Sequence, residues 1–156
     1  MRGFNPRARA VDEQGRLMPE FWRSLTQPDA NIVGSMYLSG NASATACTPT
    51  PVVVSGTTTP GDLYGFDHTN GRLTYTGSMA KTLAVSVCAS FTTSGGQVGV
   101  GVSVNGTATM SYATTTAGFL VAQVAVELSP GDYIEAVVSN ASSNAVTVTD
   151  MQVVAR

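Results

Sequence analysis

From about residue 32 onward, apolar and polar positions alternate with a period of two. In KTLAVSVCASFTT, Leu83, Val85, Val87, Ala89 and Phe91 share one face, and in QVGVGVSVNGT, Val98, Val100, Val102 and Val104 lie opposite Gly99, Gly101 and Ser103. Alternation of this length predicts strands, since a helix would repeat every 3.6 residues. Further strands are predicted in NIVGSMYLS, DLYGFD, GRLTYTG, GFLVAQVAVEL, YIEAVVSN and AVTVTDMQVVAR, punctuated by Asn70-Gly71, Gly95-Gly96, Asn105-Gly106 and Pro130-Gly131. In VELSPGDYIEAVV, Pro130 presets φ for the second turn position and Gly131 supplies positive φ for the third, so Ser129 to Asp132 reads as a type II corner. The last strand changes parity between Val146 and Val148 on one side and Met151 and Val153 on the other, which predicts a β-bulge near Thr149 and Asp150. Many short strands with no helix between them point to an antiparallel sandwich or barrel.

Residues 1–31 follow a different pattern. Leu17, Phe21 and Leu25 are spaced four apart, Met18 lies beside Trp22, Pro19 suits a first helical turn and Pro28 closes the segment. This predicts one short amphipathic helix. Isolated helices below about 12–15 residues are marginal in water, so its apolar stripe must pack on its own domain or on another subunit. Five of the seven arginines, Arg2, Arg7, Arg9, Arg16 and Arg23, also lie here, the first three ahead of any acidic residue. Such a segment reads either as a solvated tail or as an arm that docks on an acidic partner. The chain is therefore divided into an N-terminal arm, 1–31, and a β domain, 32–156.

Only 12% of the 156 residues are charged, against roughly 25% in an ordinary soluble domain, while 43% are hydrophobic. A surface so poor in charge must be covered by Thr, Ser, Asn, Gly and Ala, or by other copies of the chain. A net charge of −2 and a single lysine, Lys81, give no basic face for nucleic acid. No apolar run reaches the roughly 18 residues of a membrane span, and MRGFNPRARAVDEQ lacks the centre of a signal peptide, so folding in a cytoplasm without membrane attachment is expected. Cys47 and Cys88 are then expected as reduced thiols, Cys88 as a buried and inert one. The acceptor-like triplets at Asn41, Asn105 and Asn140 are expected to be chance occurrences in a chain rich in Ser, Thr and Asn.

Candidate chemistry is sparse. The single histidine, His68, adjoins Asp67 but precedes an Asn-Gly turn, where a surface histidine is the commoner case and a Ser-His-Asp arrangement the rarer. Asp62, Asp67, Glu127, Asp132, Glu135 and Asp150 show no spacing that marks a pair for acid–base work. Asp62, Asp67 and Asn70 could offer oxygens to calcium, without the dense acidic pattern of a dedicated loop. There is no zinc cluster, and GGQVGVG lies in a strand of valines and opens no helix, so no cofactor is expected.

The order of GRLTYTG, KTLAVSVCASF, a Gly-Val strand ending in Asn-Gly, VAQVAVELSPGDYIEAVV and VTVTDMQVVAR resembles the globular head of tumour necrosis factor and the complement collagen-tailed proteins. In that family a leucine–x–x–glycine–aspartate corner joins two apolar strands, and Leu128, Gly131 and Asp132 match it. The resemblance spans roughly 32–156 and implies an all-β, ten-stranded antiparallel jelly-roll sandwich that forms a tight homotrimer. With so few aromatics, flat Gly, Ala and Ser faces would replace large rings at the interface. VDEQGRLMPEFWRSLTQ is similar to a short element near the start of tailed-bacteriophage structural proteins.

Together the two resemblances imply a non-enzymatic virion component, assembled in the host cytoplasm: a capsid decoration, head fibre or short spike. Its partners would be its own copies and other virion proteins of the capsid, portal or tail. The anchor residues would be Arg2, Phe4, Arg7, Arg9, Leu17, Phe21, Trp22 and Leu25. The alternative is a receptor- or glycan-binding knob of a tail fibre or spike, with the contacts in loops at the free end; the scarcity of aromatics and charges there weighs against it.

Overall fold

The computed structural model describes residues 32–38, 43–114 and 116–156. The expected helix and all eight anchor residues, Arg2 to Leu25, lie outside the described residues. Among the described residues the fold is all-β: β1 (Val33–Leu38), β2 (Ser43–Thr45), β3 (Val52–Val53), β4 (Thr58–Tyr64), β5 (Phe66–Thr69), β6 (Arg72–Tyr75), β7 (Lys81–Thr93), β8 (Gln97–Val104), β9 (Thr107–Thr114), β10 (Ala117–Leu128), β11 (Tyr133–Asn140) and β12 (Val146–Ala155). One sheet runs β10-β7-β12-β1-β4, with β2 beside the start of β12. The other runs β5-β6-β11-β8-β9, with β3 beside β11. Every pairing is antiparallel. The two five-strand paths supply the ten strands of a jelly roll, and β2 and β3 are short additions.

The alternation builds the core directly. Leu83, Val85, Val87, Ala89 and Phe91 of β7 face Val98, Val100 and Val102 of β8 and Ile134, Ala136 and Val138 of β11 across the gap between the sheets, all buried. Each of the Val, Leu, Ile and Phe side chains among them contributes about 1.5–3 kcal/mol when fully removed from water. The expected bulge is present. The β12–β7 register shifts between Val148 and Asp150, leaving Thr149 and Asp150 both exposed, so that Val146 and Val148 before it and Met151, Val153 and Ala155 after it all point inward.

DLYGFD is not one strand. Gly65, at φ +80°, turns the chain between β4 of the first sheet and β5 of the second, a conformation open to glycine at little cost. Pro60 falls within β4, an edge strand, where its missing N–H costs no ladder bond. Cys88 also departs from expectation: its parity places it on the outer face of β7, half-buried, whereas Cys47 is the buried thiol. Cys47 donates to the Thr45 carbonyl at 3.3 Å, and burial raises its pKa.

Both ends of the sandwich are closed by neutral or singly charged hydrogen-bond latches. At the end where Gly34 pairs with Ala155, the corner forms as expected: the Asp132 N–H donates to the Ser129 carbonyl (2.9 Å) and Gly131 sits at φ +93°. The Asp132 carboxylate accepts the Ser129 N–H (2.7 Å) and the Asn105 Nδ2 amide (2.8 Å), while Asn105 Oδ1 accepts the Tyr133 N–H (3.0 Å). One carboxylate thereby joins the β10–β11 corner to the β8–β9 turn. The bonds from Ser129 and then Asn105 hold its pKa below the ordinary aspartate value.

At the opposite end Asn140, fully buried, donates through Nδ2 to the Gly95 carbonyl (2.9 Å) and to Thr93 Oγ1 (3.2 Å), and accepts the Ser142 N–H (2.8 Å). Its own N–H reaches the Thr48 carbonyl at 3.0 Å. The loops after β2, β7 and β11 are thus tied together by one residue, through its backbone N–H and its side-chain amide.

Asn140→Ala should lower unfolding free energy by about 2–3 kcal/mol in chemical denaturation, because buried partners lose their bonds; a loss below about 0.5 kcal/mol would show that the latch contributes little. The Asp132 contribution has a definite sign. With a folded pKa below the unfolded one, its stabilisation is present above the ordinary aspartate range and is lost as pH falls through the lowered value. Melting temperature should therefore drop more steeply over that acid range in the wild type than in Asp132→Asn, and parallel curves would contradict the assignment.

Candidate interaction surfaces

The described residues do not assemble a catalytic or metal centre where the sequence offered one. His68 Nε2 lies 2.9 Å from Thr58 Oγ1, which accepts the Gly71 N–H at 2.7 Å, while Asn70 Oδ1 accepts the Thr58 N–H at 2.7 Å. This cluster fastens the start of β4 to the β5–β6 turn and occupies the Asn70 oxygen considered for calcium. Asp67 points the other way along β5 and is exposed. Among the described residues no three His, Cys, Asp or Glu side chains gather to hold an ion. The Asn105 and Asn140 amides are both committed to the latches, so neither is free to carry a glycan; Asn41 lies outside the described residues.

What remains available is surface, and the two outer faces differ. On the first sheet, residues opposite one another in register project together. One row runs Val121–Cys88–Gln152–Tyr37–Thr59 and the next Gln123–Ser86–Val154–Ser35. Neither contains a charge. Small Ser and Cys side chains form a flat centre on β7, and exposed Val121 (45%) and Tyr37 (44%) border it, with Phe119 (61%) one row away beside Ser90. The charges that border it among the described residues are Asp150 opposite Ser90, Arg156 hydrogen-bonded to the Ala84 backbone, Asp62, whose N–H donates to Ser35 Oγ, and exposed Glu127 near the end of β10.

The second sheet is covered by its own side chains. A Cβ on Gly99 would come within 2.7 Å of Tyr112 Cε1 and 2.9 Å of Met110 Cε, and one on Gly101 would collide with Met110. The alternate glycines of β8 therefore let Tyr112 and Met110 of β9 lie across the strand instead of standing away from it. Further along, Arg72 donates twice to Glu135 Oε1 (3.0 and 2.7 Å) and stacks 3.9 Å over the Tyr133 ring. That pair satisfies a carboxylate that is only 12% exposed.

Strand β9, which carries Tyr112 and Met110, was not predicted. TATMSYAT is an edge strand half-exposed on both sides, so it lacks the one-sided apolar alternation that marks a strand in sequence. The Gly-Val alternation of β8 was the available signal, since glycines at every second position require something to lie over them.

No protein-family model and no curated sequence matches the chain. Solved structures do. Murine APRIL aligns with a TM-score of 0.56 at 10% identity, over 80% of this chain and 98% of that one. The fold is that of the tumour necrosis factor and complement heads. The PRD1 vertex protein P5 shares it with a TM-score of 0.53 at 10% identity, over 80% of this chain and 95% of that one, as does the globular domain of zebrafish complement 1qA at 0.50 and 13%, over 80% and 94%. Identities this low establish a common jelly-roll sandwich and nothing about ligands.

Proposed function

We propose that this chain is a non-enzymatic structural component of a phage virion, a homotrimer whose β head projects from the particle while residues 1–31 attach it to capsid, portal or tail. The observation that carries the reading is the pair of charge-free rows across the outer face of β10, β7, β12 and β1, flat at the centre and apolar at the border. Exposed apolar patches of this kind on a folded head mark association sites. A face centred on Ser86, Cys88 and Ser90 suits close backbone approach by a second copy, as expected where large rings are few. Sharing the head fold with a protein named for a vertex supports the particle setting.

The arm supplies what the head lacks. Arg2, Arg7, Arg9, Phe21 and Trp22 are of the residue types enriched where interfaces carry their energy, and a single buried anchor can contribute about 2 kcal/mol or more. Three arms held by one trimer act together, so modest contacts sum to firm attachment.

Cys88 reports on the proposed face. In the wild-type protein it should react slowly with a thiol reagent. In Val121→Glu combined with Val154→Glu, which places carboxylates in the two charge-free rows, one thiol per chain should become fast while Cys47 stays slow. Rapid Cys88 labelling in the wild type would remove this face from the interface. Deleting residues 1–31 should leave a soluble β-rich head that no longer joins particles assembled without the protein, and Phe21→Ala with Trp22→Ala should weaken attachment without altering circular dichroism. Normal copy number from the truncated head would place the anchor on the head itself.

A further inference from the structure

The end of the sandwich opposite the Gly34–Ala155 pairing gathers the β7–β8, β9–β10 and β11–β12 connections, and 93–97, 112–119 and 139–146 contain no charged residue. Tyr112 stands beside this end on the second sheet, 55% exposed, with its Cε1 edge seated over Gly99. Opposite Gly99 on the other side is Ser139, whose Oγ would be 2.6 Å from a Cβ at Gly99. Ser139 is 2% exposed. The next row outward carries exposed Gln97 and Thr114, paired across β8 and β9, and exposed Ser142 follows in the loop beyond Asn140. The Asn140 latch holds these loops in place before any ligand arrives.

We propose that Tyr112 and the polar groups around it form a binding surface for a neutral carbohydrate. An aromatic ring lying across a strand offers the flat apolar platform on which a sugar ring can stack, and tyrosine does so at low cost in side-chain entropy. The carboxamide of Gln97 and the hydroxyls of Thr114 and Ser142, all exposed, donate and accept hydrogen bonds without charge, which matches the hydroxyl-covered edge of a sugar. An anionic polymer would require Arg or Lys at the surface, and the sequence places none there. A charged protein partner would likewise find no counter-charge. The site is shallow, so a single copy binds weakly, and several copies on one repeating polymer multiply the effect. The inference does not rest on the virion reading, since it concerns the head alone and is tested without particles.

The test uses the full chain in native gels cast with neutral polysaccharides (a glucan, a mannan and a galactan) or acidic ones (polygalacturonate and a sulfated glycan). At least one neutral polymer should retard the wild type and neither acidic one should. Tyr112→Ala should weaken binding by about tenfold, the scale of a lost aromatic anchor, whereas Tyr112→Phe should retain it. In the same protein, the hexasaccharide of the retarding polymer should shift the ring resonances of Tyr112 and leave those of Tyr64 in place. The inference is overturned if no neutral polymer retards the protein, if the acidic polymers bind as well, or if Tyr112→Ala migrates like the wild type. A change in sedimenting mass in Tyr112→Ala would also overturn it, because the ring would then belong to a contact between copies.

Discussion

Two sheets of alternating residues must close over a single valine-rich core in a chain with almost no charge to spend on its surface. Period-two alternation admits only one register, because a slip of one residue would turn every valine of β7, β8 or β12 outward. The bulge between Val148 and Asp150 follows from that constraint: without it, the second half of β12 would present Gln152 and Val154 to the core in place of Met151 and Val153. The two ends follow a common logic, in which polar side chains rather than ion pairs seal the loops, Asn140 at one end and Asp132 with Asn105 at the other.

Filling the core this way leaves the outer positions free, and the two sheets use them differently. The second sheet covers itself, with Met110 and Tyr112 over glycines and Arg72 bridging Glu135 and Tyr133. The first sheet leaves Val121, Cys88, Gln152 and Tyr37 in an open uncharged row. A low proportion of charge is thus a property of particular faces as well as of the whole chain, and the faces concerned are those best suited to self-association or to neutral partners.

The long central strands were legible because burial on one side forces a clean alternation, and the Ser129–Asp132 corner was legible because only one turn type suits Pro-Gly at its centre. The turn at Gly65 was not, since Leu63, Tyr64 and Phe66 continue an apolar run across the change of sheet. Strand β9 escaped because an edge strand buries neither face fully, and with it went Tyr112. Membership of an apolar strand suggests a core position for Cys88, although its even position, opposite to Val87 and Ala89, places it outside. The arm residues Arg2 to Leu25 carry a composition that suggests attachment, but composition names no partner.

The central claim is that the flat face of the first sheet closes a homotrimer of a chain carrying the tumour necrosis factor and complement head fold. Sedimentation equilibrium of the full-length protein at micromolar concentration tests it most directly. The account predicts a single species of three times the 16.1 kDa chain mass, with no change on dilution across that range. A species of 16.1 kDa throughout would contradict it.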